Sequence, residues 1–217
     1  DLQTSYRSNF YFFIFFFLKN IDWSGIAYGS NYRHHNPKRR LMHTLDRQKA
    51  QLKIANIKYN NHPNWRWLAN NYKNNSIIPN NKFIILVTGA AKHRLNKKWP
   101  QYRYASLIEH FSKIDIQCVL IGGEDEFNNI ENIIGLVDKK TIKRPLNYAG
   151  RTEYKDIVYL SSYAKHAIGN DTGPMHLIAT SGLSTIVLFG SASDPALCAP
   201  KGKNVIIINK GSIKDIS

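Results

Sequence analysis

Residues 167–190 read AIGNDTGPMHLIATSGLSTIVLFG. The stretch begins with the apolar pair Ala167-Ile168 and turns through Gly169-Asn170-Asp171-Thr172-Gly173. It restarts at Pro174 as a helix carrying His176, and a second apolar run, 184–189, closes on Gly190. The pattern is strand, glycine-bounded loop, helix, strand. Proline suits a first helical turn, where the N–H it lacks would have no partner anyway. The free N–H groups of such a turn, with the helix dipole, favour an anion such as phosphate. Asp171, Thr172 and His176 would face the same ligand. The plainer alternative is a helix in a core, capped by Asp171 or Thr172.

Toward the N-terminus the same alternation continues. FIILV at 83–87 reads as a buried strand, followed by the loop TGAAKHRLNKK at 88–98. Trp99-Pro100 opens a helix to about Lys113. IQCVLI at 116–121 is a strand ended by Gly122-Gly123, and a helix follows over about 124–137. A short strand at 146–149, an amphipathic helix at 153–164 and a last strand at 205–208 complete the series. Strands alternating with helices imply right-handed crossovers and a parallel sheet. Such a sheet is covered on both faces, which explains unbroken rather than alternating apolar runs. Ligands then bind beyond the C-terminal strand ends, in the loops after Val87, Ile121, Ile168 and Phe189.

The first part of the chain is less regular. FYFFIFFFL at 10–18 is too short to span a bilayer, which takes roughly 20 residues. It reads as a buried helix or strand, or else as a surface that touches membrane, with Arg7 and Lys19 at its flanks. A strand with turns is expected over 22–30, around Gly25 and Gly29. The basic loop YRHHNPKRR at 32–40 is either solvated or a holder of an acidic acceptor. A helix is expected over 42–57. Asparagine clusters, Pro63 and Pro79 interrupt 60–81, so a boundary is placed near 78, dividing 1–78 from 79–217.

Lys plus Arg number 30 against 15 Asp plus Glu, a net charge of +15. This favours an anionic partner: nucleic acid, anionic lipid or a phosphorylated substrate. No helix-turn-helix or stacked aromatic–basic module appears, so nucleic acid is not the expected partner. The two cysteines, Cys118 and Cys198, form neither a disulfide framework nor a zinc site and fit a reducing cytoplasm. There is no G-x-x-x-x-G-K-[ST], no G-x-G-x-x-G after a strand and no H-E-x-x-H. Neither metal nor cofactor is expected.

Five segments together resemble glycosyltransferase family nine, the heptosyltransferases of lipopolysaccharide core assembly. They are Thr88-Gly89-Ala90 with Lys97-Lys98-Trp99-Pro100, then Ile121-Gly122-Gly123-Glu124-Asp125-Glu126, then Asn147-Tyr148-Ala149-Gly150-Arg151-Thr152, then Gly169 through His176, and Phe189-Gly190. Asp1-Leu2-Gln3 with Arg7-Ser8 resembles an internal piece of the family's N-terminal domain. The resemblance implies a GT-B-like α/β fold: a Rossmann-like parallel sheet for the donor, and an incomplete N-terminal Rossmann-like domain for the acceptor. It implies transfer of a heptose, with inversion, from a nucleotide-sugar donor such as ADP-heptose to a lipid-anchored core oligosaccharide, by a cytoplasmic enzyme at the inner face of the inner membrane.

Carried onto this chain, the resemblance implies that Lys97 is the cation for the diphosphate, in a run that also offers Lys92, Arg94 and Lys98. Thr88 would sit near the phosphates, and the N–H groups of Thr172 and Gly173 would hold them. Asp171 and His176 would contact sugar or diphosphate. Glu126, with Glu124 as rival, would accept from the nucleoside. Asp171→Asn and His176→Ala are expected to weaken binding and leave stability nearly unchanged. The family usually carries proline where Thr88 stands. Its catalytic aspartate belongs to a first strand and loop, so that general base is expected upstream of Asp1 and the chain reads as a fragment or degraded reading frame. Two other readings stay open: a nucleotide-sugar-binding remnant without catalysis, and another GT-B enzyme such as a sugar-nucleotide epimerase.

Overall fold

The computed structural model describes residues 2, 5–17, 21–59, 64–91 and 94–217. Asp1, Gln3, Leu18, Lys19, Pro63 and Lys92 lie outside them. The chain divides into two compact units, Asp1–Asn61 with Ala196–Cys198, and His62–Pro195 with Ala199–Ser217.

The larger unit holds a six-stranded sheet, all parallel. Its strands are β3 (Phe83–Val87), β4 (Gln117–Ile121), β5 (Leu146–Asn147), β6 (Ala167–Asn170), β7 (Thr185–Phe189) and β8 (Val205–Asn209), in the order β5-β4-β3-β6-β7-β8. Helices α3 (Gln101–Lys113), α4 (Phe127–Leu136), α5 (Tyr154–Ser161), α6 (Gly173–Thr180) and α7 (Pro195–Cys198) follow the strands in turn. All five residues of β3 are buried. Ile84 and Leu86 share a core with Tyr104 and Ile108 of α3 and Ile130 and Ile133 of α4. Right-handed crossovers then put α5 and α6 on the other face. The strand order reverses between β3 and β6, and a crevice opens at that point beyond the strand ends.

Most expected elements are present, with small shifts. Strand β6 runs two residues past Ile168, through Gly169 and Asn170. Helix α7 has no counterpart among the elements expected from the sequence.

The segment 62–78 belongs to the larger unit, not to the N-terminal side of a boundary near 78. Four of its residues, Arg66, Tyr72, Asn74 and Asn75, bond to α5 or to the end of α6. Tyr72 donates its hydroxyl to Asp156, which also accepts from Asn74 Nδ2 at 3.1 Å. Tyr159 donates to Asn75 Oδ1 at 2.8 Å, and Arg66 Nε to the Ser181 carbonyl at 2.6 Å. Burial works against the charge on Asp156, but the bonds from Tyr72, the Glu153 backbone and Asn74 outweigh it and hold its pKa below the ordinary value.

The smaller unit carries α1 (Tyr6–Phe17), the parallel pair β1 (Ser24–Gly25) and β2 (Tyr32–Arg33), and α2 (Thr44–Ile54). The phenylalanine run is a helix, but it is not buried. Only Ser8 and Phe12 are buried among its described side chains, while Phe10, Phe13, Phe16 and Phe17 are each more than 60% exposed. Within this unit Trp23 covers one side only, touching Phe12 and Phe15. The basic loop is not wholly solvated either. His34 is buried and accepts from Arg39 Nε at 3.1 Å. Burial first, then the charges of Arg39 and Arg47, hold its imidazole pKa below the ordinary value.

Candidate functional site

The site is built at the sheet crossover by one buried amide. Asn170, fully buried at the end of β6, donates Nδ2 to the carbonyls of Thr88 (2.7 Å) and Gly89 (3.2 Å). Its Oδ1 accepts from Trp99 N at 3.1 Å and from the Tyr104 hydroxyl at 3.0 Å. Asn170 therefore fixes both ends of the 88–98 loop, and with them the two lysines before Trp99.

Asp171 follows. Its carboxylate accepts from Lys97 Nζ at 2.5 Å and from Ser193 Oγ at 2.8 Å. His176 Nε2 lies 3.7 Å from Oδ1, an ion-pair rather than a hydrogen-bond distance. Burial works against the charge on Asp171. The interactions with His176, Lys97 and Ser193 overcome it and bring the pKa down to about 2.

The next residue starts α6. Thr172 occupies the N-cap position, yet its side chain does not cap the helix. The Thr172 Oγ1 is buried and has no hydrogen-bond partner among the described residues. A Cβ built on Gly173 would meet nothing within 4 Å. The helix start thus faces open space with the Thr172 side-chain oxygen unspent. Proline stands in the first turn, as expected.

A cavity of about 280 Å³ opens there, lined by Gly89, Ala90, Gly122, Glu126, Thr172 and Gly173 among others. Glu126 is buried, while its rival Glu124 is exposed. Lys98 Nζ donates to Glu126 Oε1 at 2.9 Å and Oε2 at 3.2 Å, and Asn129 Nδ2 to Oε2 at 3.0 Å. A second recess of about 630 Å³ shares Gly122, Gly123 and Pro174 with the first and adds Leu68, Tyr154 and Ile157.

The structure thus joins Lys97, Asp171 and His176 in one cluster, and Glu126, Thr172 and Gly173 around one cavity. Thr88 stands between the lining residues Val87 and Gly89 but is itself buried, its hydroxyl without a partner among the described residues. Sequence reasoning assigns no role to Asn170, Lys98 or Ser193. Asn170 lies inside the very run that singles out Asp171, and Lys98 beside Lys97. Nothing in the sequence points to Ser193. Among the described residues, no three His, Cys, Asp or Glu side chains converge as a metal site requires.

A six-stranded parallel sheet of this order, with an anion-ready helix start and a lysine–carboxylate cluster at its reversal point, defines a Rossmann-like ligand-binding domain. The model of glycosyltransferase family 9 (heptosyltransferase) matches residues 5–215, and the chain belongs to that family. It is 29% identical over 97 residues to lipopolysaccharide heptosyltransferase 2 of Salmonella typhimurium, covering 45% of this chain and 28% of that one. It is 30% identical over 115 residues to lipooligosaccharide heptosyltransferase 2 of Haemophilus ducreyi, covering 52% and 32%. The match thus spans about a third of these relatives' length. In fold it is similar to the E. coli ADP-heptose lipopolysaccharide heptosyltransferase II, with a TM-score of 0.69 at 20% identity over 87% of this chain and 62% of that one.

Proposed function

We propose that this chain binds an ADP-linked sugar and serves its transfer, as a heptose, to a lipopolysaccharide core acceptor. The observation that carries the reading is the Lys97–Asp171–His176 cluster at the open start of α6, beside the 280 Å³ cavity. Departure of the nucleotide puts charge on a diphosphate. Preorganised N–H groups and a held lysine stabilise such charge where water is largely excluded. Asp171 keeps Lys97 in place until a diphosphate competes for it. On the acceptor side, Arg47 Nε is buried without a partner among the described residues, and burial first, then the charge of Arg47, lowers the pKa of Arg39. Such a pair of guanidinium groups suits the carboxylates or phosphates of an acidic acceptor.

Calorimetric titration with ADP, ADP-heptose and a UDP sugar tests the reading. Saturable binding of the two ADP ligands, at least tenfold tighter than the UDP sugar, is the expected result. Absence of ADP binding by a folded chain sinks it.

The same reading places the protein at the cytoplasmic face of the inner membrane. No described helix is long and apolar enough to cross a bilayer. Helix α1 instead presents Phe10, Phe13, Phe16 and Phe17, with exposed Arg7 at its start, on a chain of net charge +15. Aromatic side chains entering the headgroup boundary and cations facing anionic lipid add together. The chain should sediment with vesicles of anionic lipid and much less with neutral ones. Phe13→Ser with Phe16→Ser should reduce that binding about tenfold or more. Equal sedimentation of parent and variant excludes α1 as the contact.

A further inference from the structure

Two consecutive lysines diverge onto different buried carboxylates, Lys97 onto Asp171 and Lys98 onto Glu126. The first pair is part of the anion cradle. The second lies at the other side of the cavity, and no chemistry of the diphosphate requires it.

Glu126 is tightly confined. Lys98 Nζ reaches both of its oxygens, and Asn129 takes Oε2 again. A Cβ at Gly89 would stand 2.9 Å from Glu126 Cδ, and one at Gly122 would stand 2.8 Å from Glu126 Cβ. The glycines of two loops thus make room for this one side chain. A carboxylate offers about four acceptor directions, and three are in use. Lys98 is itself held, its N–H on the Leu95 carbonyl at 3.0 Å and the next residue, Trp99, on Asn170. The result is a carboxylate fixed at the cavity wall with about one acceptor direction left to spend.

We propose that Lys98 is a positioning residue: it holds Glu126 where it accepts from a ribose hydroxyl, and so makes the pocket select nucleotides whose ribose is intact. This rests on the donor-site reading above. A hydroxyl donor fits because a carboxylate with Lys98 and Asn129 already on it has acceptor capacity only, and because the cavity continues past Gly122 and Gly123 into the larger recess. Lys98 touches Glu126, not the ligand. Its removal lets the carboxylate turn away and leaves the Lys97 cradle untouched.

Three probes separate the possibilities: ADP, 2′,3′-dideoxy-ADP and inorganic pyrophosphate, titrated into the parent chain, Lys98→Met and Lys98→Arg. The parent should prefer ADP to the dideoxy compound by about tenfold, the order expected of a hydrogen bond to a charged group. Lys98→Met should lose most of that preference, with pyrophosphate binding unchanged within twofold, and Lys98→Arg should restore it. Equal losses for all three probes in Lys98→Met mean a general electrostatic or structural effect and overturn the proposal. So does a preference that survives the substitution. If Lys98→Met does not fold, Lys98→Gln is read in the same way. A parent that binds no ADP removes the donor-site reading itself. A parent that binds ADP without preferring the intact ribose removes only the positioning role of Lys98.

Discussion

Lys97→Ala lowers the affinity for ADP by about thirtyfold and flattens the protein's loss of stability in acid. The first effect is the loss of one charge-assisted bond to the diphosphate, about 2 kcal/mol. The second comes from Asp171. Its pKa of about 2 lies below the ordinary 3.8, so the folded state holds the ionised form more strongly than the unfolded chain does. That contribution is fully present above about pH 4 and is lost as the pH falls toward about 2. At 1.36 kcal/mol per pKa unit it amounts to about 2 kcal/mol. Without Lys97 the carboxylate keeps Ser193 and His176, but burial still opposes its charge, so its pKa rises and the contribution shrinks. Urea denaturation of parent and Lys97→Ala at pH 7, 4 and 2.5 measures this. The parent should lose stability between pH 4 and 2.5, and the variant should lose less over the same interval. Parallel curves together with unchanged ADP affinity would mean that Lys97 serves neither the ligand nor Asp171.

The same geometry changes what to expect of its neighbours. From the sequence, Asp171→Asn spares stability, but Asp171 is buried and accepts from Lys97 and Ser193. Its replacement leaves Lys97 without its partner and removes the acid-limb contribution. For His176, whose side chain is 44% exposed, a spared melting curve remains the expected result.

What could be read from the sequence followed from physical constraints that act locally. Strands β3, β4 and β7 are covered on both faces, so each had to be an unbroken apolar run. Their alternation with helices fixed the parallel sheet, and the glycine-bounded turn before Pro174 marked the helix start that lines the cavity. The features missed depend on partners distant in sequence. An apolar run such as FYFFIFFFL shows that a surface is hydrophobic, not whether anything covers it. Asparagine-rich residues 62–78 look like a linker until Tyr72, Asn74 and Asn75 find Asp156 and Tyr159 on α5. The lysine register came from the family resemblance alone, because Lys97 and Lys98 differ only in which carboxylate each meets. Asn170 escapes notice for the opposite reason. A buried amide carries no outward sign of the four groups it joins.

Asn170→Ala should be the most damaging of these changes, costing about 3 kcal/mol and lowering the melting temperature by about 10 °C for a chain of this size. The Tyr104 hydroxyl can turn wholly to the Val87 carbonyl, 3.2 Å away, so its loss is small. Trp99 N and the Thr88 carbonyl have no such reserve and are left short of partners where water is scarce, each at about 1–3 kcal/mol. The loop that carries Lys97 and Lys98 is then tied at neither end, and ADP affinity should fall with stability. Asn170→Asp separates this account from a simple cavity effect. The new carboxyl keeps the shape, and one oxygen can still accept from Trp99 N and Tyr104. The other would face the Thr88 and Gly89 carbonyls, oxygen against oxygen, unless it carries a proton. Folding would therefore raise its pKa. The stability of this variant should be greatest below about pH 4 and decline as the pH rises through the folded value, the reverse of the acid behaviour that Asp171 gives the parent. Melting curves at pH 5 and pH 8 decide it. A variant no weaker at pH 8 than at pH 5, or an alanine variant within about 1 kcal/mol of the parent, would mean that the crossover is held together by packing and that Asn170 is only a passenger in it.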